Sequence, residues 1–418
     1  MRNKGLKRVS RRMGLIITVG MLPIILLGMS CVPGRDFNTR LSSITKPYNF
    51  SIAKWELNTV FSSAKQAILG RDKNADDEVN GVTEYFSSIA QIKAISSEIE
   101  SVNAGTKQGD LTSLEADLNK LQQQKMVLGD TVERILERQI KETLAQQGIY
   151  NPIDKYIRLK ANFPPLNFKL DKPPHLLVVS PRDRIESIRE VTLRQSIDVK
   201  VTESIEAEVD ELGVSSLVVE LGGFGGTYPS FVTNEASLQF TIDTAVEEWL
   251  HQYLAFKPLG FRYLLDLTGL RPNYEIATLN ETVASMASKE IGSIVCENYY
   301  PQHQNNGGQA ESASGFDFNR EMREIRRAVD KYLAEGEIEQ AEEFMEQKRQ
   351  YLATKGYYLR KLNQAYFAFY GAYADRPTSI SPIGVELRAL RSKSTSLKDF
   401  LETAAGMTSR QDLVAFLK

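Results

Sequence analysis

Hydrophobic residues recur every three or four positions along two stretches in the first third of the chain. One stretch runs from Val82 to Val102 and the other from Leu111 to Ile135, with the polar segment 103–110 between them. This spacing predicts two amphipathic helices joined by a short loop, most simply an antiparallel hairpin within residues 51–150. Such a hairpin either binds a coiled-coil partner or packs as a helical subdomain on its own neighbours.

Short apolar runs replace the helical pattern beyond residue 162. Residues 175–180 and 215–221 are rich in Leu and Val and are bounded by turn residues, which predicts two buried strands. Apolar and polar residues alternate over 197–201 and weakly indicate a third strand. The glycine-rich run 222–229 favours a bend between two edge strands beside the next helix. It does not match the phosphate-binding pattern G-x-G-x-x-G, because Tyr228 stands where the last glycine belongs.

Helical periodicity returns after this bend and continues to the C-terminus. It predicts one helix over residues 238–256, a second over 274–298, a charged helical stretch over 318–355 and two short helices near the end. With the strands between residues 175 and 221, these elements indicate an α+β chain that is mostly helical and contains a small sheet.

The N-terminus has the composition of a membrane-targeting segment. Residues 1–12 contain six Arg and Lys and no acid, and residues 13–34 contain no charged residue. This pattern predicts a signal or membrane anchor in residues 1–31 and places the bulk of the chain outside the cytoplasm. An uncleaved anchor, a cleaved signal peptide and a lipoprotein remain open, because the residues that end at Cys31 resemble a lipobox. Residues 32–50 are predicted to be a tether.

Overall composition excludes some classes of function. The net charge is -2 and 25% of residues are charged, so a nucleic-acid partner is not expected. Only two cysteines occur, Cys31 and Cys296, which gives no sign of a disulfide framework. Among the histidines, His175 begins a predicted strand and His303 lies in a polar loop, so both are expected to be incidental.

The remaining histidine, His251, lies near two glutamates at a spacing that is typical of metal-binding helices. In a helix, Glu247 and His251 lie on one face, one turn apart, with Glu248 beside them. Acid-acid-x-x-His is by itself common in amphipathic helices. Its context adds weight, because a strand and a glycine-rich turn precede this helix and a second helix carrying Asn280 and Glu281 follows it.

Residues 217–300 resemble the gluzincin zinc metallopeptidases in the order edge strand, metal-binding helix and third-ligand helix. The H-E-x-x-H motif of that family is degenerate here, since Glu247 replaces its first histidine. The resemblance implies that Glu247, His251 and Glu281 bind Zn²⁺ or another divalent metal, and that Glu248 is the general base. Two carboxylates and one imidazole are a harder, more anionic ligand set than two imidazoles and one carboxylate. We therefore expect lower selectivity for zinc.

The segment around residues 362–370 is loosely similar to a later segment of predicted bacterial aminopeptidases, in which polar residues face the substrate. This likeness implies that Tyr366 and Tyr370 donate hydrogen bonds to the developing oxyanion. Tyr228 is the alternative donor because it is nearer in sequence to the predicted edge strand. Packing in the core or at its rim is the competing interpretation for each tyrosine.

The resemblance also implies a domain organisation and a function. Residues 151–315 would form a metallopeptidase-like domain, and residues 316–418 the helical C-terminal part of the catalytic unit. The leading hypothesis is a membrane-tethered, extracytoplasmic peptidase that hydrolyses peptide or protein substrates with a metal-activated water. The alternative is a catalytically impaired pseudopeptidase that acts as an envelope binding or scaffold protein. A plain scaffold would leave His251 and Glu281 far apart.

Overall fold

The computed structural model describes residues 35–51, 75–152, 160–303 and 315–418. Within these ranges the chain is mostly helical with a small amount of sheet, as the sequence predicts. The helices, numbered in chain order, are α1 Arg35–Thr45, α2 Ala75–Asn103, α3 Leu111–Gln146, α4 Val199–Asp210, α5 Leu238–Leu254, α6 Pro258–Leu267, α7 Tyr274–Tyr299, α8 Phe318–Ala334, α9 Ile338–Thr354, α10 Gln364–Gly371, α11 Pro382–Lys393, α12 Leu397–Ala405 and α13 Arg410–Leu417. The strands are β1 Phe168–Leu170, β2 His175–Pro181, β3 Arg189–Leu193, β4 Val214–Glu220, β5 Gly223–Phe224 and β6 Ser230–Val232.

Helices α2 and α3 form the predicted antiparallel hairpin. Asp110 caps the start of α3 by accepting a hydrogen bond from the backbone N–H of Thr112, at 3.0 Å. Near the other end of the hairpin, Arg138 of α3 donates to Glu78 of α2 at 3.0 Å. The base of the hairpin lies in the same hydrophobic core as the helices that follow the sheets. That shared core includes Val82, Tyr85, Val132, Leu136, Trp249, Leu250, Leu279 and Val283.

Two small sheets lie between the hairpin and helix α5. Strands β3, β2 and β4 form one antiparallel sheet in that order, and β2 and β4 confirm the two predicted buried strands. Strands β1, β6 and β5 form the second sheet, with β5 at its edge. Strand β5 pairs with β6 through Gly223 opposite Val232 and Phe224 opposite Phe231. The glycine-rich run therefore contains an edge strand, as predicted, but it leads into β6, which is the central strand of its sheet and not the second edge strand that was expected.

The weak strand predicted over residues 197–201 is wrong, because helix α4 begins there. Asp198 accepts a hydrogen bond from the backbone N–H of Val201 at 2.9 Å and so caps the helix. Ile205 and Val209 continue from Val201 at helical spacing, and both are buried. Five residues of alternation were too short to distinguish a strand from the first turn of this helix.

Three further parts of the chain differ from the prediction. Residues 35–45, predicted as part of a tether, form helix α1, because Phe37, Leu41 and Ile44 make an apolar stripe that packs near Ile205. The charged stretch 318–355 is two helices, α8 and α9, separated at Gly336, whose φ is 77°. The C-terminus contains three helices after residue 381 instead of two.

Helices α5 and α7 pack along each other, and α6 connects them. Ser237 caps α5, and Asn273 caps α7 by accepting a hydrogen bond from the backbone N–H of Ile276 at 3.1 Å. Both helices match their predicted ranges to within two residues. On α5, Trp249 is buried and donates its indole N–H to the carbonyl of Pro164 at 2.7 Å. This bond fixes the rotation of α5 about its axis, so that Glu247 and His251 lie on the side of the helix opposite Trp249.

No helix in the four described ranges is both long and apolar enough to cross a membrane. The predicted membrane segment and Cys31 lie outside those ranges, as do residues 32–34 at the start of the predicted tether.

Candidate metal centre

Helices α5 and α7 bring the three predicted metal ligands together. One donor atom each from Glu247, His251 and Glu281 lies within 4.8 Å of the other two. Nε2 of His251 is 3.7 Å from Oε2 of Glu281. Zinc bonds of about 2.0–2.2 Å place the ligands of one ion roughly 3–4 Å apart. Small side-chain movements are therefore enough for a single ion to contact all three residues.

His251 is oriented by a neighbour of the third ligand. The side-chain amide of Asn280 contacts Nδ1 of His251 at 3.0 Å. With the amide nitrogen toward the ring, Oδ1 of Asn280 is buried with no hydrogen-bond partner among the described residues. Turning the amide lets Oδ1 accept the Nδ1–H of His251, which satisfies the oxygen and leaves the Nε2 lone pair free on the side of Glu281. The orphaned oxygen thus fits a metal-binding histidine.

Glu281 is held by two tyrosines that the sequence analysis did not identify. The hydroxyl of Tyr263 on α6 donates to Oε1 of Glu281 at 2.5 Å. The hydroxyl of Tyr373, two residues beyond α10, also hydrogen-bonds to Glu281. Partners of this kind fix the orientation of metal-ligating carboxylates. Neither tyrosine belongs to a local motif, so only the fold shows that they meet Glu281.

The centre carries more negative charge than its surroundings neutralise. Burial, followed by the charge of Glu281, raises the pKa of Glu247 to about 8. Burial and the charges of Glu247 and Glu281 raise the pKa of Glu248 well above its usual range. On β3, burial raises the pKa of Glu190 to about 7, with Glu281 adding to the effect. Among the described residues, no Lys or Arg forms an ion pair with Glu247, Glu248 or Glu281. A divalent cation fits this excess charge.

These carboxyl groups line a cleft. Glu247 and Glu248 keep part of their surface in contact with water, and Glu190 is exposed. Burial is nevertheless the main cause of the raised pKa of each of these carboxyl groups. The three side chains therefore stand in a partly enclosed recess that is open to solvent at Glu190.

No family model, curated protein sequence or solved structure matches the chain. The geometry of this centre and the motif that predicted it are therefore the grounds for assigning a function.

The glycine-rich bend encloses Glu248. The backbone N–H of Gly225 donates to the Glu248 carboxylate. A Cβ at Gly225 would lie 2.7 Å from Oε2 of Glu248, and a Cβ at Gly223 would overlap with Oε1. Gln252, one turn further along α5, donates to the carbonyls of Gly225 and Thr227, at 3.2 Å each. The predicted bend is confirmed, and glycine is required there because the backbone approaches Glu248 so closely.

The predicted oxyanion donors Tyr366 and Tyr370 lie on α10, with ring centroids 4.5 Å apart. Together with Tyr274 and Arg326 they line a cavity of about 260 Å³. Burial raises the pKa of both tyrosines, and the charged group that acts on them is Arg376, whereas Glu247, Glu248 and Glu281 do not contribute. Their role stays a prediction. The later segment does reach the centre, but through Tyr373, whose pKa is raised by burial and by those three carboxylates.

The other residues singled out in the sequence lie outside the centre. His175 is buried on β2, where Nδ1 is 3.1 Å from the carbonyl oxygen of Arg194. Tyr228 hydrogen-bonds to Asn167, and burial raises its pKa to about 12. His303 ends the short turn after α7. Cys296 is a buried free thiol on α7. None of them is among the three donors that converge.

Proposed function

We propose that this chain is a metal-dependent hydrolase that cleaves peptide bonds, using Zn²⁺ or another divalent ion held by Glu247, His251 and Glu281. The observation that carries the proposal is the convergence of these three donors beside a fourth carboxylate, Glu248, where no Lys or Arg of the described residues forms an ion pair with any of the four. The resemblance of residues 217–300 to gluzincin peptidases supports the choice of reaction.

The residues around the centre have different roles in the proposed hydrolysis. Glu247, His251 and Glu281 would hold the divalent ion, which would supply Lewis acidity to a water molecule and to the substrate carbonyl. Glu248 accepts a proton from the attacking water and passes it to the leaving amine. The raised pKa of Glu248 favours this proton transfer. The positive charge of a divalent ion would lower that pKa toward 7. The Tyr373 hydroxyl is beside the centre and has a single O–H, so it would have to leave Glu281 to donate to the developing oxyanion.

Strand β5 offers a binding surface for an extended peptide. It pairs with β6 along one side only and is the edge of its sheet. Gly223 in this strand and Gly225 directly after it both approach Glu248 closely. A peptide that adds to this edge by main-chain hydrogen bonds passes the general base with a backbone carbonyl, so the edge suits peptides over other classes of substrate.

A test of the centre comes from the pH dependence of stability without metal. In the unfolded chain a glutamate has a pKa of about 4.3, whereas the folded protein raises that of Glu247 to about 8. Between these values the folded state holds more protons than the unfolded state, so stability falls as pH rises. We expect the melting temperature of chelator-treated protein to fall from about pH 5 to about pH 8. Zinc should stabilise the protein more at pH 8 than at pH 5, because at pH 5 it must displace the proton on Glu247 in order to bind.

Two variants make this measurement specific. Glu247→Gln removes one titrating group and should make the fall in melting temperature smaller, while Glu248 and Glu190, whose pKa values are also raised, keep part of it. Glu203→Gln changes an exposed acid on α4 and should leave the fall as in the wild type. Equal pH slopes for wild type and Glu247→Gln would show that Glu247 does not hold a proton in the metal-free centre.

The membrane-tethered, extracytoplasmic location is also a proposal. It rests on the composition of residues 1–34, which lie outside the described ranges. We expect a reporter enzyme that works only outside the cytoplasm to be active when it is fused after Lys418. Activity of a reporter that works only in the cytoplasm would refute the location and leave the argument for the metal centre intact.

A second candidate function is that of a pseudopeptidase that binds its partner in the cleft or through the hairpin. The specific observation that favours it is Glu247, which replaces the histidine of the peptidase motif. The variants Glu247→His and Glu248→Gln separate the two candidates.

A further inference from the structure

Arg376 lies five residues beyond α10 and presents a guanidinium group without an acidic partner. Its central carbon is 4.6 Å from the ring centroid of Tyr373 and 5.3 Å from that of Tyr370. In the part of the chain that the structure describes, its side chain forms no hydrogen bond or ion pair. Several other arginines do have carboxylate partners: Arg326 with Asp330, Arg360 with Glu206, Arg391 with Glu290 and Arg410 with Glu386.

Two tyrosine rings hold this guanidinium in place. Cation–π contacts of this kind fix the position of a guanidinium and leave its N–H donors available. The nearest acid in sequence, Asp375, does not pair with Arg376: Oδ2 accepts from Ser285 at 3.0 Å and from Lys289 at 2.5 Å, and Oδ1 is buried with no hydrogen-bond partner among the described residues. Arg376 is therefore oriented by aromatic rings, and its donors remain for a ligand.

The guanidinium belongs to the same cleft as the metal centre. Tyr373 contacts Arg376 with its ring and Glu281 with its hydroxyl, so Arg376 and Glu281 are separated by about one tyrosine ring. The positive charge of Arg376 also lowers the pKa of Glu247 against the larger effect of burial. A ligand that reaches Arg376 is thus one or two residues of extended chain from the centre, at about 3.3–3.6 Å per residue.

We infer that Arg376 binds a carboxylate of the substrate, namely the C-terminal carboxylate of a peptide whose scissile bond lies at the metal centre. A guanidinium pairs with a carboxylate through two parallel N–H···O bonds, which few other ligands of a peptide can accept. This inference rests on the proposed function and narrows it to the release of one or two residues from a C-terminus. The reaction balances with water alone, because the C–N bond breaks, a new carboxylate forms and the leaving amine takes the proton.

Binding measurements test the inference without relying on hydrolysis. The probes are the blocked tripeptide acetyl-Ala-Ala-Phe, its C-terminal amide, and acetyl-Ala-Glu-Ala-amide, which carries only a side-chain carboxylate. Calorimetry with the full zinc-loaded chain in detergent should give roughly ten- to a hundredfold tighter binding of the acid than of its amide, as a charge-assisted hydrogen bond provides.

Substitutions assign the preference to Arg376. Arg376→Gln should bind acid and amide equally, and Arg376→Lys should keep part of the preference, because it retains the charge but not the planar pair of donors. Arg388→Gln, at an exposed arginine of α11, should behave as the wild type. Melting temperatures show which variants are folded, and the comparison of two peptides within one variant does not depend on the fraction that is active.

Each outcome separates the inference from the proposed function. A preference that survives in Arg376→Gln overturns the role of Arg376. Equal binding of the glutamate peptide and the C-terminal acid overturns the assignment to a chain end. An Arg376-dependent preference without hydrolysis supports the carboxylate site and contradicts the peptidase, whereas hydrolysis with no preference in the wild type supports the peptidase and contradicts this inference.

Discussion

We expect Glu248→Gln to lower the rate of peptide hydrolysis by about 10²–10⁴-fold while the metal stays bound. Glutamine has the shape of glutamate and can still accept the hydrogen bond from Gly225, but it cannot take a proton from water. Glu248 is not one of the three donors that converge, so metal affinity should change little. Turnover of a fluorogenic peptide and the metal content of the purified protein measure the two effects separately.

Glu190→Gln is the control for this variant. Glu190 lines the same cleft and also has a raised pKa, so the substitution removes a comparable acid without touching the glycine-rich bend. Its effect on turnover should be much smaller than that of Glu248→Gln. If Glu248→Gln keeps the wild-type rate, Glu248 is not the base. If it loses the metal instead, Glu248 is a ligand, and the division of roles between neighbouring glutamates is wrong.

The second large effect is expected for Glu247→His, which restores two imidazoles and one carboxylate to the centre. Imidazole is a softer donor than carboxylate and is neutral, so zinc should bind at least about tenfold more tightly. The substitution also removes a negative charge from a cleft that holds several, which lowers the cost of burying the remaining acids. Competition with a chromogenic chelator measures the zinc affinity.

The matched control for Glu247→His is Glu247→Gln, which removes the same charge without supplying an imidazole. It should bind zinc more weakly than the wild type. Tighter binding in both variants would attribute the effect to charge alone. Failure of Glu247→His to bind any zinc would show that the three residues do not form a metal site.

The two substitutions together distinguish the enzyme from the pseudopeptidase. For a peptidase, Glu247→His should keep or raise turnover, and adding Glu248→Gln should abolish it with the metal retained. For a pseudopeptidase that has lost its ligand, Glu247→His gains metal, but no turnover appears that depends on Glu248. The wild type alone cannot make this distinction, because a low rate is consistent with both.

The convergence of the three candidate metal ligands could be predicted from the sequence because most of the information is local. Helical periodicity alone places Glu247 and His251 one turn apart, and the structure confirms both that helix and the later one carrying Glu281. The glycine-rich bend could also be predicted, since glycine and proline mark turns wherever they cluster. Its close approach to Glu248 could not, because that contact depends on how the second sheet packs against α5.

The walls of the cleft could not be predicted, for a physical reason. Tyr263, Tyr373 and Arg376 come from α6 and from the segment after α10, and their contacts are fixed by packing between segments far apart in sequence. Aromatic residues crowd residues 357–373, so the sequence suggests a tyrosine near the substrate without indicating which one. Tyr366 and Tyr370 share one face of α10, whereas Tyr373 lies beyond the helix end, where the chain turns toward Glu281.

The contact between the glycine-rich bend and Glu248 means that the residues at positions 223, 225 and 248 constrain one another during evolution. A side chain at Gly223 or Gly225 would occupy the space of the Glu248 carboxylate. A lineage that keeps this acid is therefore restricted to glycine at both positions, and a lineage that has lost it is released from that restriction. Substitutions would then accumulate in the bend only after the acid has gone. Glycine at both positions therefore marks the descendants that kept the Glu248 carboxylate, and other residues there mark those that lost it.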